Sequence, residues 1–438
     1  MSSAATLPPG PALPALAQTL LSVIRPLSFV ETCQRRYGDL YTLRIFPVGD
    51  IVCVTDAATV KQIMTSDPKV FRAGDAASVM DFVFGQHSLL LLDGPEHIQR
   101  RQVLMPPFRR ESVNRYRDSV DDIVANAMER WPVGVPFRLL PRFQATGLEI
   151  IMRTVFGITD ADRLNALRRL LPQVLHVNPA LILFPVLRRD FGSRSPGAKL
   201  ARVLRGIDEI LYSEIARRRT DPALADRDDI LSLLLRACGE DGQELSDSEL
   251  RDHLVTLLVV GHETTATALA WLFERLLRHP PALARLRAET GSDESTYLDA
   301  VIDETLRVRP VVTDVARTLS EPTPIGRYTV PAGTMVALSL FLVHNNPADY
   351  PDPERFRPER FLGQQPARPV FLPFGRGPHR CLGAQFARMV MRATVRGVLS
   401  RADLQAARTK PERARLAGPI LVPSRGAEAT LTRRRVPS

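Results

Sequence analysis

The chain has 438 residues, 45% of them hydrophobic, and a formal net charge of +10 carried mostly by arginine. Its four cysteines, Cys33, Cys53, Cys238 and Cys381, form no CxxC pair, which excludes a zinc cage or a disulfide framework and suits a reducing cytoplasm. The arginines are mixed with acids along helical stretches and show no aromatic–basic repeat, so a nucleic-acid partner is not expected.

A chain this long buries a large core, and its length alone would suggest more than one domain. No Ser/Gly linker, low-complexity tract or fixed-period repeat divides it. A single domain over 1–438 is expected, with a loose Pro-rich lead over 1–25 and a loose basic tail over 426–438. The apolar stretch Ala12–Ile24 is broken by Pro14 and Gln18 and has no basic flank. It is too short to span a bilayer, does not read as a signal peptide, and is at most a weak interfacial helix. No membrane anchor and a cytoplasmic location are expected.

Leu40–Ile45 (LYTLRI) and Ile51–Thr55 (IVCVT) read as strands around a turn at Pro47–Asp50, and Asp56 caps a following helix. From about Glu111 to Arg309, apolar residues recur at spacings of three and four, the signature of helices. Strand-like runs return at Val315–Leu319, Tyr328–Val330 and Met335–Leu340. Proline and glycine then punctuate the chain up to Pro378, and one helix follows Cys381. The fold class is mainly α with a minor β-sheet. The longest helix spans about Ser246 to Arg278, and its centre, LVTLLVVGHETTATALAWLF, is apolar on nearly every side and should be buried. Glu263 inside it is costly unless hydrogen-bonded or used. Gly261 with Thr264 and Thr265 is expected to distort the helix locally and leave room for a small molecule. A kinked core helix with a satisfied carboxylate would read the same way.

Cys381 lies in FGRGPHRCLG, Phe374 to Gly383. Gly375, Gly377 and Gly383 permit a tight loop and close backbone approach. A helix N-terminus follows the sulfur, and Arg376, His379 and Arg380 add positive charge, each of which favours a thiolate. A thiolate serves as nucleophile, redox thiol or metal ligand. No second cysteine is near in sequence to act as a redox partner, whereas an axial ligand to haem iron needs one cysteine and a flat, shielded loop.

FGRGPHRCLG resembles the haem-ligand loop of the cytochromes P-450, F-G-x-G-x-[HR]-x-C-x-G. Further landmarks of that family follow its order: DGPEHIQRR at Asp93–Arg101, GHETT at Gly261–Thr265, the E-x-x-R pair in Glu304–Arg307, and FRPERF at Phe356–Phe361. The resemblance implies the family fold, with haem between the long central helix and the cysteine loop. Cys381 would be the axial thiolate, with Phe374 covering one side of the sulfur and Gly383 in the loop beside it. Glu263 and Thr264 would be the acid–alcohol pair that delivers protons. Val260 stands where Ala or Gly is usual and, with Gly261, would border the substrate pocket. His97, Arg101, Arg317 and His379 would hold the haem propionates by charge-assisted hydrogen bonds. Glu304, Arg307 and Arg360 would form a buried structural network bracing the loop.

The implied activity is a haem-thiolate monooxygenase using haem b and O2, with electrons from NAD(P)H through a redox partner. Peroxygenase, oxidative-coupling or dehydration chemistry and a haem sensor or binding protein are the competing readings. Arg100, Arg109, Arg110, Arg376, Arg380 and Arg388 would form a basic face for an acidic ferredoxin or flavodoxin served by its reductase. The substrate-contact stretches implied by the family, Ala73–Leu92, Leu170–Pro185, the central helix, Val311–Val315 and Ala417–Pro423, are apolar, so a lipophilic small molecule is expected. A monomer is expected.

Overall fold

Alternation of apolar residues along two short runs builds the main sheet. In this computed structural model, which describes residues 6–157, 160–175, 181–182, 184–237, 239, 244–289, 296–363 and 370–435, β1 (Leu40–Ile45) and β2 (Gly49–Val54) pair antiparallel with Leu40 opposite Val54. β3 (Phe71–Arg72), β4 (Asp314–Leu319) and β5 (Met335–Ser339) complete five strands in the order β1-β2-β5-β4-β3. β2 runs parallel to β5, and β4 antiparallel to it. Successive side chains point to opposite faces. Val52 and Val54 therefore meet Val60, Ile63 and Met64 of the helix Ala57–Thr65, while Cys53 joins Phe29, Cys33 and Tyr41 on the other side. The Asp56 side chain caps that helix, accepting from the Thr59 N–H at 2.7 Å.

The chain divides into two compact units, each assembled from separated segments, which is why no linker is visible in the sequence. The first comprises the described residues up to Phe71, Arg117–Thr146, and those from Thr264 onward. It holds the sheet, the helix Ala384–Arg401 that follows the cysteine, and the helix Thr296–Val308. The cysteine-side helix lies so close to Arg117–Met128 that a Cβ on Gly397 would come within 2.8 Å of Val124. Arg388 and Arg392 pair with Asp303 and Asp299 on Thr296–Val308.

Within the described residues, both expected loose tails contain regular structure. Ala15–Ile24 is helical, and Pro8 and Pro9 offer carbonyls to Thr42 on β1. Glu428–Arg434 is the middle strand of a three-stranded sheet between Pro136–Arg138 and Ala402–Ala406. Arg434 there donates to the carbonyls of Met128, Glu129 and Trp131, so this basic residue caps a helix end.

The second unit comprises Arg72–Tyr116 and Gly147–Glu263. Its helices Ala161–Leu175 and Pro196–Arg219 pack together. A fully buried cation, Arg218, is held by Glu214 at 2.7 Å, Asp229 at 2.5 Å and the Phe156 carbonyl at 2.6 Å. Such a charge is tolerated because two carboxylates pair with its Nη1 and Nη2 groups.

The long helix runs from Asp247 to Leu276, with its residues distributed over both units. It is helical throughout Gly261–Thr265. Packing supplies the reason for the glycine: a Cβ on Gly261 would lie 3.1 Å from Ile151 Cδ1, so the residue serves a close helix approach. The helix is long and apolar enough to cross a membrane by composition, yet 72% of its most apolar window is buried within the protein.

Candidate active site

The cysteine loop is folded by its own backbone. Cys381 N–H donates to the Phe374 carbonyl at 2.9 Å, Gly375 N–H to Leu372, and Arg380 N–H to Gly377. Gly375 and Gly377 have φ of +68° and +71°, a region that side chains disfavour. Gly377 also meets a steric demand, because a Cβ there would sit 2.1 Å from the Met64 carbonyl oxygen. The loop thus rests on the end of the helix Ala57–Thr65. Cys381 is exposed, whereas Cys33 and Cys53 are buried and burial raises both thiol pKa values, that of Cys33 to about 11. Cys238 lies outside the described residues. Gly383 is the N-cap of the helix Ala384–Arg401, and the Arg388 guanidinium lies over the Phe374 ring at 5.4 Å.

Glu304 and Arg307 are fully buried and joined by two bonds of 2.8 and 2.9 Å. Arg307 also donates to the carbonyls of His344 and Pro353. Glu304 accepts from the Arg357 N–H at 2.8 Å and faces Arg360 Nε at 3.4 Å. The sequence-predicted trio is therefore one cluster. The sequence reading missed His344. Its Nε2 accepts the Leu372 N–H at 2.9 Å, so the cluster reaches the start of the cysteine loop through this side chain. Burial, reinforced by the Arg307 charge, pushes the His344 pKa down to about 3, which keeps it a neutral acceptor. The signal was present in the stretch HNNP, but only the tertiary contact gives it meaning.

On the long helix, His262 and Thr265 are buried, while Val260, Gly261, Glu263 and Thr264 are accessible. With Thr256, Leu257 and Val259 they form an accessible side along the middle of the helix, where the neighbouring residues are buried. His262 points the other way, its Nδ1 2.6 Å from the Leu258 carbonyl, and burial lowers its pKa.

His97 is buried and Arg101 half-buried on the helix Gly94–Leu104 of the second unit. Arg317 is buried on β4 of the first unit, and His379 is half-buried in the cysteine loop. Asp93, at the head of the His97 helix, anchors a neighbouring turn: its carboxylate accepts from the backbone N–H groups of Ala73, Gly74 and Asp75 at 2.8–3.0 Å. Of the six arginines expected on a basic face, Arg109, Arg110, Arg376 and Arg380 are exposed. Arg100 and Arg388 are instead committed to Glu249 and Asp303, because each finds a carboxylate on a packed neighbouring helix.

Three of the stretches expected to touch substrate meet within the first unit, where Leu421 N–H donates to the Val311 carbonyl at 2.8 Å and Trp271 Nε1, on the long helix, to the Leu421 carbonyl. Two others meet within the second. Arg188, unremarked in the sequence, donates to Leu181 and Val79 carbonyls and lies over the Phe82 ring at 4.1 Å. Residues 176–180 and 183 of the expected stretch Leu170–Pro185 lie outside the described residues.

The sequence matches the profile of the cytochrome P-450 family over residues 8–431. The chain belongs to the cytochrome P-450 family. It is 43% identical to a Mycobacterium tuberculosis protein named cytochrome P-450 135B1, over 97% of this chain and 91% of that one. A second relative from the same organism, named cytochrome P-450 138, is 35% identical over 98% of this chain and 97% of that one. A cyanobacterial structure with retinoic acid bound, CYP120A1, superposes with a TM-score of 0.84 at 25% identity, covering 98% of this chain and 100% of that chain. As a cytochrome P-450 this protein is a haem-thiolate monooxygenase that uses haem b and O2, takes electrons from a redox partner and acts on a hydrophobic substrate. The exposed Cys381 in its glycine loop suits that cofactor, since it is the one described cysteine that burial does not hold in the core.

Proposed function

We propose that the protein inserts one oxygen atom from O2 into a lipophilic small molecule, by hydroxylation or epoxidation, in secondary or lipid metabolism. The observation that carries this reading is the accessible side formed by Val260, Gly261, Glu263 and Thr264 in the middle of a long, largely buried helix. A carboxylate and a hydroxyl side by side on such a face are the groups a proton relay requires.

Cys381 would hold the haem iron through its thiolate, and haem would supply the O2 chemistry. The glycines keep the loop close to a flat surface, Phe374 covers one side of the sulfur, and Gly383 starts the helix whose N-terminus favours negative charge there. The cluster of Glu304, Arg307 and Arg360, extended by His344, fixes the loop. His97, Arg101, Arg317 and His379 would hold the haem propionates by charge-assisted hydrogen bonds. Thr264 Oγ1 holds a water and passes it a proton, and Glu263 replenishes that proton from solvent. Val260 narrows the pocket relative to Ala or Gly. Exposed Arg109, Arg110, Arg376 and Arg380 receive an acidic ferredoxin or flavodoxin, whose reductase draws on NAD(P)H. The enzyme works as a cytoplasmic, monomeric single domain.

The test is an optical titration of the haem-loaded protein with lipophilic compounds grouped by scaffold. One class is expected to shift the haem band from low to high spin. Equal shifts from polar and apolar compounds would contradict the pocket assignment.

A further inference from the structure

The strand β4 opens on an acid. Asp314 is its first residue and the one charged residue in the two first-unit stretches Val311–Val315 (VVTDV) and Ala417–Pro423 (AGPILVP). Those stretches lie side by side, joined by the Leu421–Val311 bond and by a backbone bridge between Val312 and Ile420. Asp314 stands in register with Ser339 of β5, two residues along from the Ala316–Ala337 pair. Ala337 in turn stands opposite Cys53, and Cys53 opposite Tyr41. Side chains two apart share a face, so Asp314 lies on the face that carries Cys53 and Tyr41. Its neighbours Thr313 and Ser339 are buried, yet Asp314 itself is exposed. Burial nevertheless pushes its carboxyl pKa up, and hydrogen bonds to the Thr313 and Ser339 hydroxyls hold it back in part. After burial, the Asp314 charge also helps to raise the pKa of the Cys53 thiol. A carboxyl that a small molecule can reach, and whose charge the surrounding protein still penalises, lines an enclosed cavity.

That cavity lacks a countercharge. The two acids of Ala73–Leu92 are matched, Asp75 by Arg72 at 3.1 Å and Asp81 by Arg188 at 3.3 Å. No arginine, lysine or histidine pairs with Asp314 among the described residues. Hydrogen-bond donors, by contrast, are already present. Ser339 Oγ accepts from the Leu342 N–H at 3.5 Å and so keeps its own proton for the carboxylate. An unpaired carboxylate amid apolar residues is costly, and a ligand that brings a cation removes that cost. A neutral lipophilic ligand would instead seal the carboxylate from water, and an anionic one would repel it, so one side chain discriminates in both directions. We propose that Asp314 determines substrate specificity by selecting lipophilic molecules that carry a protonated or quaternary amine. The inference rests on the apolar pocket proposed above and adds to it the group that the substrate must present.

The haem-loaded full chain would be titrated with decyltrimethylammonium, decanol and decanoate. Binding is read by the spin shift of the haem band and, independently of the haem, by equilibrium dialysis. A quaternary nitrogen has no lone pair and cannot ligate iron, so its shift reports occupancy alone. Decyltrimethylammonium is expected to bind about tenfold more tightly than decanol, the low end for a close charge pair, and decanoate most weakly. Asp314→Asn is expected to erase the preference for the cation over decanol, and Asp314→Lys to favour decanoate. The spectrum of the reduced carbon monoxide complex verifies haem ligation in each protein and is expected to be unchanged. Equal wild-type affinities for the three compounds, or a preference for the cation that persists in Asp314→Asn, would overturn the proposal and leave the apolar pocket standing. Failure of all three to bind the wild type would overturn the pocket and the proposal together.

Discussion

Replacing Arg307 with methionine probes the brace behind the cysteine loop. The side chain is fully buried and makes two bonds to Glu304 and two more, at 2.9 and 2.8 Å, to the His344 and Pro353 carbonyls. Its loss leaves a buried carboxylate whose remaining contacts are the Arg357 N–H at 2.8 Å and Arg360 Nε at 3.4 Å. Breaking one side of a buried pair costs about 3–5 kcal/mol, and Arg307→Met is expected to fall in that range. That is at least about a fifth of a typical stability of about 5–15 kcal/mol. Glu304→Leu is expected to cost a similar amount. The double variant removes both charges and leaves only carbonyls and one N–H to find water, so its cost is expected to fall below the sum of the singles by roughly 1–3 kcal/mol. The assay is urea unfolding of the haem-loaded protein, followed in parallel by far-ultraviolet circular dichroism and by haem release. A cost for Arg307→Met under about 1 kcal/mol, or strict additivity in the double variant, would refute the reasoning.

Other perturbations test neighbouring parts. His344 has a folded-state pKa near 3 against an ordinary value near 6.5, so the unfolded chain binds the extra proton between these values. Stability is therefore expected to fall as pH drops from about 6.5 toward 3, by up to roughly 1.4 kcal/mol per pH unit from this group, and His344→Gln, whose amide oxygen can still accept from Leu372, flattens the slope measured by urea midpoints. Buried His253, lowered to about 4, contributes in the same sense and remains in the variant as an internal control. Gly377→Ala would drive a methyl to 2.1 Å from the Met64 oxygen at a positive φ, so the loop must lift from its supporting helix; a reduced fraction of thiolate-ligated carbon monoxide complex is expected, and an unchanged spectrum would show that the contact yields freely. Thr264→Ala is expected to lower product formed per NAD(P)H consumed roughly tenfold or more, read together with released peroxide. Intact coupling would remove Thr264 from the relay.

Local chemistry explains how much was legible. LYTLRI became β1 with its predicted bounds, and Asp56 capped the expected helix, because alternation and capping are decided within a few residues. The glycines around Cys381 were readable because a left-handed φ and a close backbone approach leave few alternatives. What remained hidden depends on partners distant in sequence. The close approach of Ile151 to Gly261 was not readable, since Ile151 lies far from it in the chain. Arg100 and Arg388 read as free charges because Glu249 and Asp303 sit on other helices. His344 was passed over because its acceptor role requires Leu372 to be brought beside it. The tails read as loose from composition, yet Pro9 pairs with Thr42 and residues 429–434 pair with Ala402–Ala406.

The most direct test of the account is the absorption spectrum of the reduced, carbon monoxide-bound protein in wild-type and Cys381→Ser forms. The wild type is expected to show the red-shifted haem band of a thiolate ligand, and the serine variant to lose that band even where haem is retained. A thiolate band that survives in the serine variant would place the ligand elsewhere and contradict the assignment of Cys381.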